Sequence, residues 1–309
     1  MFLLSLIPST YFYFYFYFFS KNDLKIKTNR LVLVVDAYLA FLEKLRHRRG
    51  LDLGGYKRPQ MERRINSLMR MVGAKDYDDY LLILEKDQEQ WHKFLDTITI
   101  NVSEFYRNPP QWEVLIKTII PMLIENVGVR FRAWSAGCST GEEPYTLAMV
   151  LDHNFPQLNY SILATDIDED ALAKARVGEY SERSLAGLPQ IYIKKYFEVE
   201  NGIYRLKDSI KKKVQFKKHN LLRDPFESGF DLILCRNVVI YFTEESKNEL
   251  YRKFHQSLKP GGVLFIGSTE QIFEAQEIGF ELVTSFFYQK RMDRNSKSFL
   301  PGSKPFLSR

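Results

Sequence analysis

The residues of this chain best suited to chemistry follow a short apolar stretch that begins at Phe131. Gly137 and Gly141 bracket three small residues, so the backbone can turn sharply there and a ligand can approach it closely. Such a loop between a strand and a helix seats nucleotide-type cofactors on open α/β sheets. Glu142 and Glu143 come next, and their carboxylates would repel a pyrophosphate. The pattern favours a cofactor with a cationic end and no phosphate, and S-adenosylmethionine meets that description.

Acidic residues follow the next predicted strand. Asp166 ends that strand 25 positions after Gly141, near the offset at which nucleotide-type folds place the carboxylate that bonds the ribose hydroxyls. Asp168 or Asp170 is predicted to cap the helix that comes after it. Dehydrogenases carry similar loops and acids, so these residues alone do not decide the reaction.

A later strand and the elements after it are more specific. The strand that begins at Phe230 leads into Arg236 and Asn237, which we expect to face the same crevice as the glycine loop. Each also has a structural interpretation: a salt bridge for the arginine and a turn for the asparagine. A helix, a Lys-Pro-Gly-Gly turn at 259–262 and another strand follow. This order is common in Rossmann-like methyltransferases and rare in dehydrogenases.

Two classes of nucleic-acid methyltransferase do not fit the chain. The Asn-Pro-Pro run at 108–110 resembles the tetrapeptide of base-amino methyltransferases, but Gln111 replaces its final aromatic residue and the segment precedes the sheet. Cytosine-carbon methyltransferases need a cysteine nucleophile, commonly beside a proline. Cys235 has no such neighbour, and Cys138 lies in the glycine loop.

The elements that must position these residues change in type along the chain. Over residues 36–95 apolar residues recur at helical spacing, which predicts a small all-helical domain. From Phe131 onwards strands alternate with helices, which predicts a parallel, doubly wound sheet. Asn201-Gly202 predicts a hairpin in a small antiparallel insert around 192–212. The segment 280–291 is expected to form one edge strand that closes the sheet.

Composition limits the classes of protein to which the chain can belong. Of its 309 residues 45% are hydrophobic and 27% are charged, as in ordinary globular proteins. Its two cysteines exclude a disulfide scaffold and suit a reducing compartment. Its five histidines have no cysteine or histidine partner at ligand spacing, so no metal site is predicted.

The positive charge is concentrated between Glu43 and Met71. This segment has nine lysines and arginines against three acids, a surplus of six that equals the net charge of the whole chain. A solvated helical face would explain the surplus, and so would an acidic partner, either protein or nucleic acid.

The first twenty residues, MFLLSLIPSTYFYFYFYFFS, are apolar over nearly the length of a membrane span. They lack the basic n-region and the small-residue cleavage site of a secretory signal. Three interpretations stay open: a membrane anchor, an aggregation-prone strand, and translated upstream sequence from a misplaced start. Activity and solubility that survive removal of the residues before about Val35 would favour the last.

Six strings of the chain belong together as motifs: TITINVSEFYR, WSAGCSTGEEPYTLA, ATDIDEDALAKA, HNLL, CRNVVIYF and GSTEQIF. From about Asp36 to Arg291 they resemble the chemotaxis receptor glutamate methyltransferases of the CheR family. The resemblance implies an α/β fold: a Rossmann-like S-adenosylmethionine-dependent methyltransferase sheet with a small all-α N-terminal domain and a small antiparallel β insert. The expected domains are an atypical aromatic extension (1–35), an all-helical receptor-recognition domain (36–100), a linker that contacts the cofactor (101–130), the methyltransferase domain (131–291) and a disordered tail (292–309).

The resemblance also implies roles for individual residues. The cofactor would contact Asn101, Ser103, Arg107, Gly137, Glu142, Glu143, Asp166, Asn220, Leu221, Arg236 and Asn237. Arg107 and Tyr241 would lie near the reacting methyl group and act in catalysis. The basic N-terminal helix would bind the receptor through Lys57, Arg58, Arg63, Arg64 and Arg70.

The implied reaction is methyl transfer from S-adenosylmethionine to a receptor glutamate carboxylate, which gives a methyl ester in sensory adaptation. The expected partner is the acidic helical cytoplasmic region of methyl-accepting chemotaxis receptors. The enzyme is then expected to be cytoplasmic, to contact the membrane only through the receptor, and to bind no nucleic acid. The sequence leaves open which receptor is methylated and whether the β insert binds a peptide at a receptor tail.

Two rival functions stay open at this point. A nucleic-acid methyltransferase is favoured only by the basic surplus, and transfer of label to RNA would establish it. A non-catalytic cofactor-sensing or adaptor protein would require loss of pocket residues, and none of the motif positions is visibly degraded.

Overall fold

The computed structural model describes residues 36–99, 103–125 and 130–292. The predicted extension at 1–35, the predicted tail beyond Met292 and Asn101 lie outside these residues. The described residues form two compact units, of which the first contains 36–54 and 66–88 and the second contains 55–65 and the part from Glu89 onwards. Within the described residues, no helix combines the length and the apolar character that a membrane crossing requires.

The N-terminal part of the chain is all-helical, as predicted. Its helices are α1 Ala37–Arg49, α2 Arg58–Val72, α3 Tyr77–Lys86 and α4 Gln88–Thr99. The carboxylate of Asp36 caps α1, and Gly50 ends that helix in the left-handed conformation at φ 70°. In the first unit the ring of Phe41 packs against the rings of Tyr77 and Tyr80. The units divide this region differently from a single domain at 36–100, since the beginning of α2 and nearly all of α4 belong to the second unit.

The second unit contains ten strands within the described residues. They are β1 Phe131–Ala136, β2 Tyr160–Asp166, β3 Glu179–Ser181, β4 Phe197–Glu200, β5 Ile203–Leu206, β6 Val214–Lys218, β7 Phe230–Cys235, β8 Leu258–Ile266, β9 Phe280–Thr284 and β10 Phe287–Lys290. Seven of them form one sheet in the order β6-β2-β1-β7-β8-β10-β9. The first five are parallel, and β10 pairs antiparallel with β8 and β9. The strand order reverses beside β1, so the crevice at the carboxyl ends of β1 and β7 is where such a sheet binds ligands.

Helices cover both faces of the sheet. They are α5 Pro109–Val114, a π-helical turn Leu115–Ile119, α6 Ile120–Ile124, α7 Glu142–Asn154, α8 Glu169–Val177, α9 Gln190–Tyr196, α10 Asp208–Lys211, α11 Glu244–Ser257 and α12 Ala275–Ile278. Successive residues of β7 alternate between two buried clusters: Leu232 and Leu234 lie in one, Ile233 and Cys235 in the other. A strand buried on both faces is a continuous apolar run, which is why the parallel sheet could be predicted.

The antiparallel parts of the unit differ from the prediction in two respects. The Asn201-Gly202 hairpin is confirmed, with φ values of 51° and 77°, but the insert has a third strand, β3, that begins before residue 192. The prediction of a single edge strand over 280–291 is wrong, because β9 and β10 form a hairpin and only β10 pairs with β8. The turn lies at Ser285 and Phe286, the latter with φ 72°, and it contains no glycine, asparagine or proline to mark it.

Candidate active site

The glycine loop joins β1 to α7 at the carboxyl edge of the sheet. The N–H groups of Gly137 and Cys138 donate to the carbonyl of Thr165 at 2.8 and 2.9 Å, which ties the loop to the end of β2. Gly137 has φ 83°, and a Cβ there would lie 2.4 Å from Cγ2 of Val238. A larger residue is therefore excluded at Gly137, and the loop backbone lies directly against the segment that follows β7.

Asp166, the last residue of β2, holds the same loop. Its Oδ2 accepts the N–H of Ser139 at 2.7 Å, and its Oδ1 accepts the N–H of Asp168 at 3.0 Å. Burial raises the pKa of Asp166, while these backbone N–H groups act in the opposite direction. The N–H of Ile167 also donates to this carboxylate, and a carboxylate can accept about four hydrogen bonds. The bond to ribose hydroxyls therefore stays a prediction. The capping role is confirmed for Asp168, which accepts the N–H groups of Asp170 and Ala171.

Glu142 and Glu143 begin α7 in different surroundings, beside a pocket that opens next to the loop. Glu143 lines this pocket, and its carboxylate accepts the Ser135 hydroxyl at 2.8 Å and Nη1 of Arg236 at 3.3 Å. Glu142 is not a lining residue, and its carboxylate accepts the Thr140 hydroxyl at 2.7 Å. Burial raises the pKa of both carboxyl groups. Glu143 is thus a lining residue, and a contact between Glu142 and the cofactor stays a prediction.

Arg236 follows β7, and its side chain is only 2% exposed. Its Nη2 donates to the carbonyl of Arg107 at 2.8 Å and to the side-chain oxygens of Asn108 and Gln111 at 3.0 and 3.2 Å. Its Cζ lies 4.6 Å from the ring centroid of Phe265. The guanidinium is thus committed mainly to protein groups, which supports the structural interpretation. A contact between Arg236 and the cofactor stays a prediction.

Asn237 has the left-handed backbone conformation, with φ 60°, which asparagine tolerates better than most residues. It lines the pocket, and its Oδ1 is buried without a hydrogen-bond partner among the described residues. The buried carboxylate of Glu270 accepts the N–H of Gly267 at 2.6 Å and also that of Asn237, so it joins the ends of β7 and β8. An unpartnered acceptor of this kind calls for a ligand that donates a hydrogen bond.

Most of the predicted cofactor and catalytic residues come together in this pocket. Those that line it are Ser103, Arg107, Gly137, Glu143, Asp166, Asn220, Leu221, Arg236, Asn237 and Tyr241. Glu142 is not among the lining residues, and the prediction for Asn101 falls outside the described residues.

Eleven further lining residues were not predicted as site residues from the sequence: Tyr56, Ile98, Thr99, Glu104, Trp112, Cys138, Ser139, Ile167, His219, Val238 and Phe242. Burial lowers the pKa of His219, and its Nε2 lies 3.3 Å from the carbonyl oxygen of Pro225. The signal that could have found it is its position just before Asn220, at the end of a predicted strand. Ile98 and Thr99 end α4 and carry no chemical pattern that distinguishes them from other core-facing residues.

The beginning of α2 lies at the same pocket. The N–H of Lys57 donates to the carbonyl of Tyr241 at 2.8 Å, and Cζ of Arg64 lies 5.3 Å from the centroid of the Tyr241 ring. The Nε of Arg107, a lining residue that is partly exposed, is 3.7 Å from Oε1 of Glu104. The Arg64 guanidinium and the Lys57 backbone, both from predicted receptor-binding residues, therefore lie beside a predicted catalytic residue.

The other predicted receptor-binding residues have different surroundings. Arg58 forms an ion pair with Glu62 at 2.9 Å, one turn along α2. Arg63 is exposed, and Arg70 is an exposed residue of the first unit. None of these three lines the pocket.

Two family descriptions match the chain in succession. The CheR methyltransferase all-alpha domain matches residues 36–99, and the CheR methyltransferase SAM binding domain matches residues 101–287. The chain belongs to the CheR methyltransferase family. It is therefore a methyltransferase whose cofactor is S-adenosylmethionine, with the fold class predicted from the sequence.

CheR relatives described as chemotaxis protein methyltransferases cover most of the chain. The protein from Listeria monocytogenes is 42% identical over 253 residues, which is 82% of this chain and 97% of the relative. Chemotaxis protein methyltransferase 1 of Pseudomonas aeruginosa is 35% identical, over 77% of this chain and 89% of the relative. The Escherichia coli protein is 34% identical, over 79% and 87% respectively.

The pocket residues fit the cofactor of the CheR family. The carboxylates of Glu143 and Asp166 suit an ammonium group and ribose hydroxyls, which are donors or cations. The unpartnered Oδ1 of Asn237 supplies a further acceptor in the same wall. S-Adenosylmethionine carries such donors and no phosphate, so the chemistry of the donor set agrees with the family.

Proposed function

We propose that this CheR family member methylates glutamate side-chain carboxylates of chemotaxis receptors and so forms glutamate methyl esters in sensory adaptation. The proposal rests on one observation: the basic start of α2 lies beside the pocket. The Arg64 guanidinium lies over the ring of Tyr241, and the Lys57 N–H donates to the Tyr241 carbonyl. An anionic acceptor that approached the pocket beside Tyr241 would meet the Arg64 guanidinium. The names of the relatives agree with a chemotaxis substrate.

Under this proposal some residues contact the cofactor directly, and others act on it through neighbouring groups. The residues that would contact it directly are Ser103, Gly137, Glu143, Asp166, Asn220, Leu221 and Asn237, together with Asn101. Glu142 and Arg236 would act through other groups, the first through Thr140 and the second through the 107–111 segment. When bound, S-adenosylmethionine supplies a methyl group activated by its sulfonium.

The acceptor needs no general base, because a glutamate with an ordinary pKa of about 4.3 is ionised at pH 7. Burial raises the pKa of the Cys138 thiol, so this lining residue is a poor thiolate nucleophile and direct transfer is the simpler course. Positioning and exclusion of water can then supply about 7–11 kcal/mol of the barrier reduction. We assign Arg107 to orientation of the acceptor carboxylate and Tyr241 to the shape of the transfer site.

The proposed partner is the acidic helical cytoplasmic region of the receptor. In the first unit Lys44 pairs with Asp78 at 2.5 Å and Arg48 pairs with Glu85 at 3.2 Å, so part of the basic surplus is neutralised within the chain. Arg63 on α2 stays exposed for a glutamate-rich helix. Such docking is sensitive to salt. The enzyme would then work in the cytoplasm, contact the membrane through the receptor, and need no nucleic acid.

The test is incubation of the full chain with methyl-labelled S-adenosylmethionine and receptor-containing membranes. We expect label in the receptor that is released as methanol by mild base, since methyl esters are base-labile. Receptors whose methylation-region glutamates are replaced by alanine, and enzyme with Arg107→Ala, serve as controls that should lose the signal. Label that resists base, or that enters RNA instead of the receptor, would refute the proposed substrate.

A further inference from the structure

The small β insert contacts the glycine loop through one tyrosine. Tyr180 in β3 is 7% exposed, and its hydroxyl donates to the carbonyl of Thr140 at 2.8 Å. A Cβ added at Gly141 would lie 3.1 Å from the same hydroxyl oxygen. The tyrosine therefore closes against the backbone of the loop where α7 begins.

The insert also supports the segment 103–107, on the other flank of the pocket. Phe105, in the middle of that segment, is fully buried, and its ring meets Tyr180 edge-on at 4.7 Å and Phe197 at 5.6 Å between centroids. Its N–H donates to the carbonyl of Ser184 at 3.3 Å. Both flanks of the pocket thus rest on residues of the region between α8 and β5.

Hydrogen bonds join the two flanks behind the loop. The Thr140 hydroxyl donates to the carboxylate of Glu142 at 2.7 Å, and the hydroxyl of Ser103 bonds to the same carboxylate. Tyr180, Thr140, Glu142 and Ser103 form one continuous chain of contacts that ends at a lining residue.

We propose that Tyr180 is a positioning residue for the cofactor, and that the β insert sets the affinity of the pocket for S-adenosylmethionine and its demethylated product. The proposal rests on the cofactor site described above and not on the identity of the methyl acceptor. Loss of the hydroxyl leaves the partly buried carbonyl of Thr140 without its donor, so the loop relaxes away from the geometry that binds the cofactor. By reciprocity, a bound cofactor stabilises the insert.

The first experiment compares Tyr180→Phe with Tyr196→Phe in the full chain. Tyr196 ends α9, is 3% exposed and donates its hydroxyl to Asp152 at 2.8 Å, so its substitution removes a comparable bond that does not reach the loop. We expect Tyr180→Phe to raise the calorimetric Kd for S-adenosylhomocysteine about three- to tenfold. Tyr196→Phe should change it less than about twofold, at a similar loss of melting temperature. Equal effects of the two substitutions, or no effect of Tyr180→Phe, would overturn the proposal.

A second measurement does not depend on how the variants fold. In the wild-type protein, S-adenosylhomocysteine should slow amide hydrogen exchange in β3 and β5 as well as in the glycine loop. Protection confined to the loop would overturn the proposal. Neither experiment contains a receptor, so a failed receptor methylation assay and a failed coupling assay are distinguishable results.

Discussion

Replacement of Arg236 by methionine is expected to weaken the fold strongly. Methionine matches the apolar length of the arginine stem but donates no hydrogen bond. Glu143 would keep the Ser135 hydroxyl as a bond donor but would lose the buried guanidinium with which it pairs. The side-chain oxygens of Asn108 and Gln111 would also lose the guanidinium.

The size of the effect follows from the burial of the pair. Removal of one partner of a buried ion pair typically costs about 3–5 kcal/mol, because an uncompensated charge is left behind. The carbonyl of Arg107 also accepts Nε1 of Trp112 at 3.0 Å, so it is not orphaned and adds little. We therefore expect Arg236→Met to lower the free energy of unfolding in urea by about 3–5 kcal/mol at pH 8.

The loss of unfolding free energy in Arg236→Met should become smaller as pH falls. Burial already raises the pKa of Glu143, and removal of the Arg236 charge should raise it further. A carboxyl whose pKa is higher in the folded state weakens folding as pH rises from the unfolded-state pKa to the folded-state pKa, because the unfolded chain releases its proton first. The deficit of Arg236→Met should thus be larger at pH 8 than near pH 4.5, the ordinary value for the carboxyl.

A double-mutant cycle separates this account from a simple packing defect. Glu143→Gln should recover about 1–3 kcal/mol in the Arg236→Met background, because it removes the orphaned charge. Arg252→Met, which breaks an exposed pair with Glu274, should cost less than about 1 kcal/mol and serves as the control. A deficit below about 1 kcal/mol, a deficit that ignores pH, or additive single mutants would refute the reasoning.

Three further predictions concern the site. Arg107→Ala leaves the hydrogen bonds to the backbone carbonyl of residue 107 intact. It should lower kcat about 100-fold and change the Kd for S-adenosylhomocysteine less. Unchanged turnover would remove Arg107 from the mechanism. Arg63→Glu should lower kcat/KM for the receptor about tenfold at low salt. Lys194→Glu, which reverses the charge of another exposed residue, should not lower it. A loss of the same size at about 0.5 M salt would contradict electrostatic docking. Asp166→Ala leaves the N–H of Ser139 without its acceptor and should weaken calorimetric cofactor binding about tenfold or more, whereas an unchanged Kd would exclude the proposed ribose contact.

The predicted elements were correct where a local pattern decides the structure. The strands β1, β2 and β7 are mainly apolar runs, β6 alternates apolar and polar residues, and the Asn201-Gly202 turn has residues that accept positive φ. The predicted strand at the end of β8 is also apolar, but the Lys-Pro-Gly-Gly stretch predicted as a turn lies inside β8. The hairpin of β9 and β10 was missed because its turn at Ser285 and Phe286 has no such residues. The third insert strand, β3, is three residues long, too short for any periodicity to be recognised.

The sequence by itself determined the glycine loop, the acid at the end of β2, the order of strands and helices and the family resemblance, because residues adjacent in the chain carry those signals. Only the tertiary structure decided which polar groups face the pocket. Glu142 and Glu143 are neighbours, yet about 100° of helical rotation separates their side chains. Glu143 therefore lines the pocket, whereas Glu142 bonds to the Thr140 hydroxyl. The Arg236 guanidinium donates hydrogen bonds to the 107–111 segment. Arg64 contacts the ring of Tyr241, although 177 positions of sequence separate the two residues. Such contacts depend on which residues from distant parts of the chain pack beside each side chain. A local sequence pattern does not contain that information.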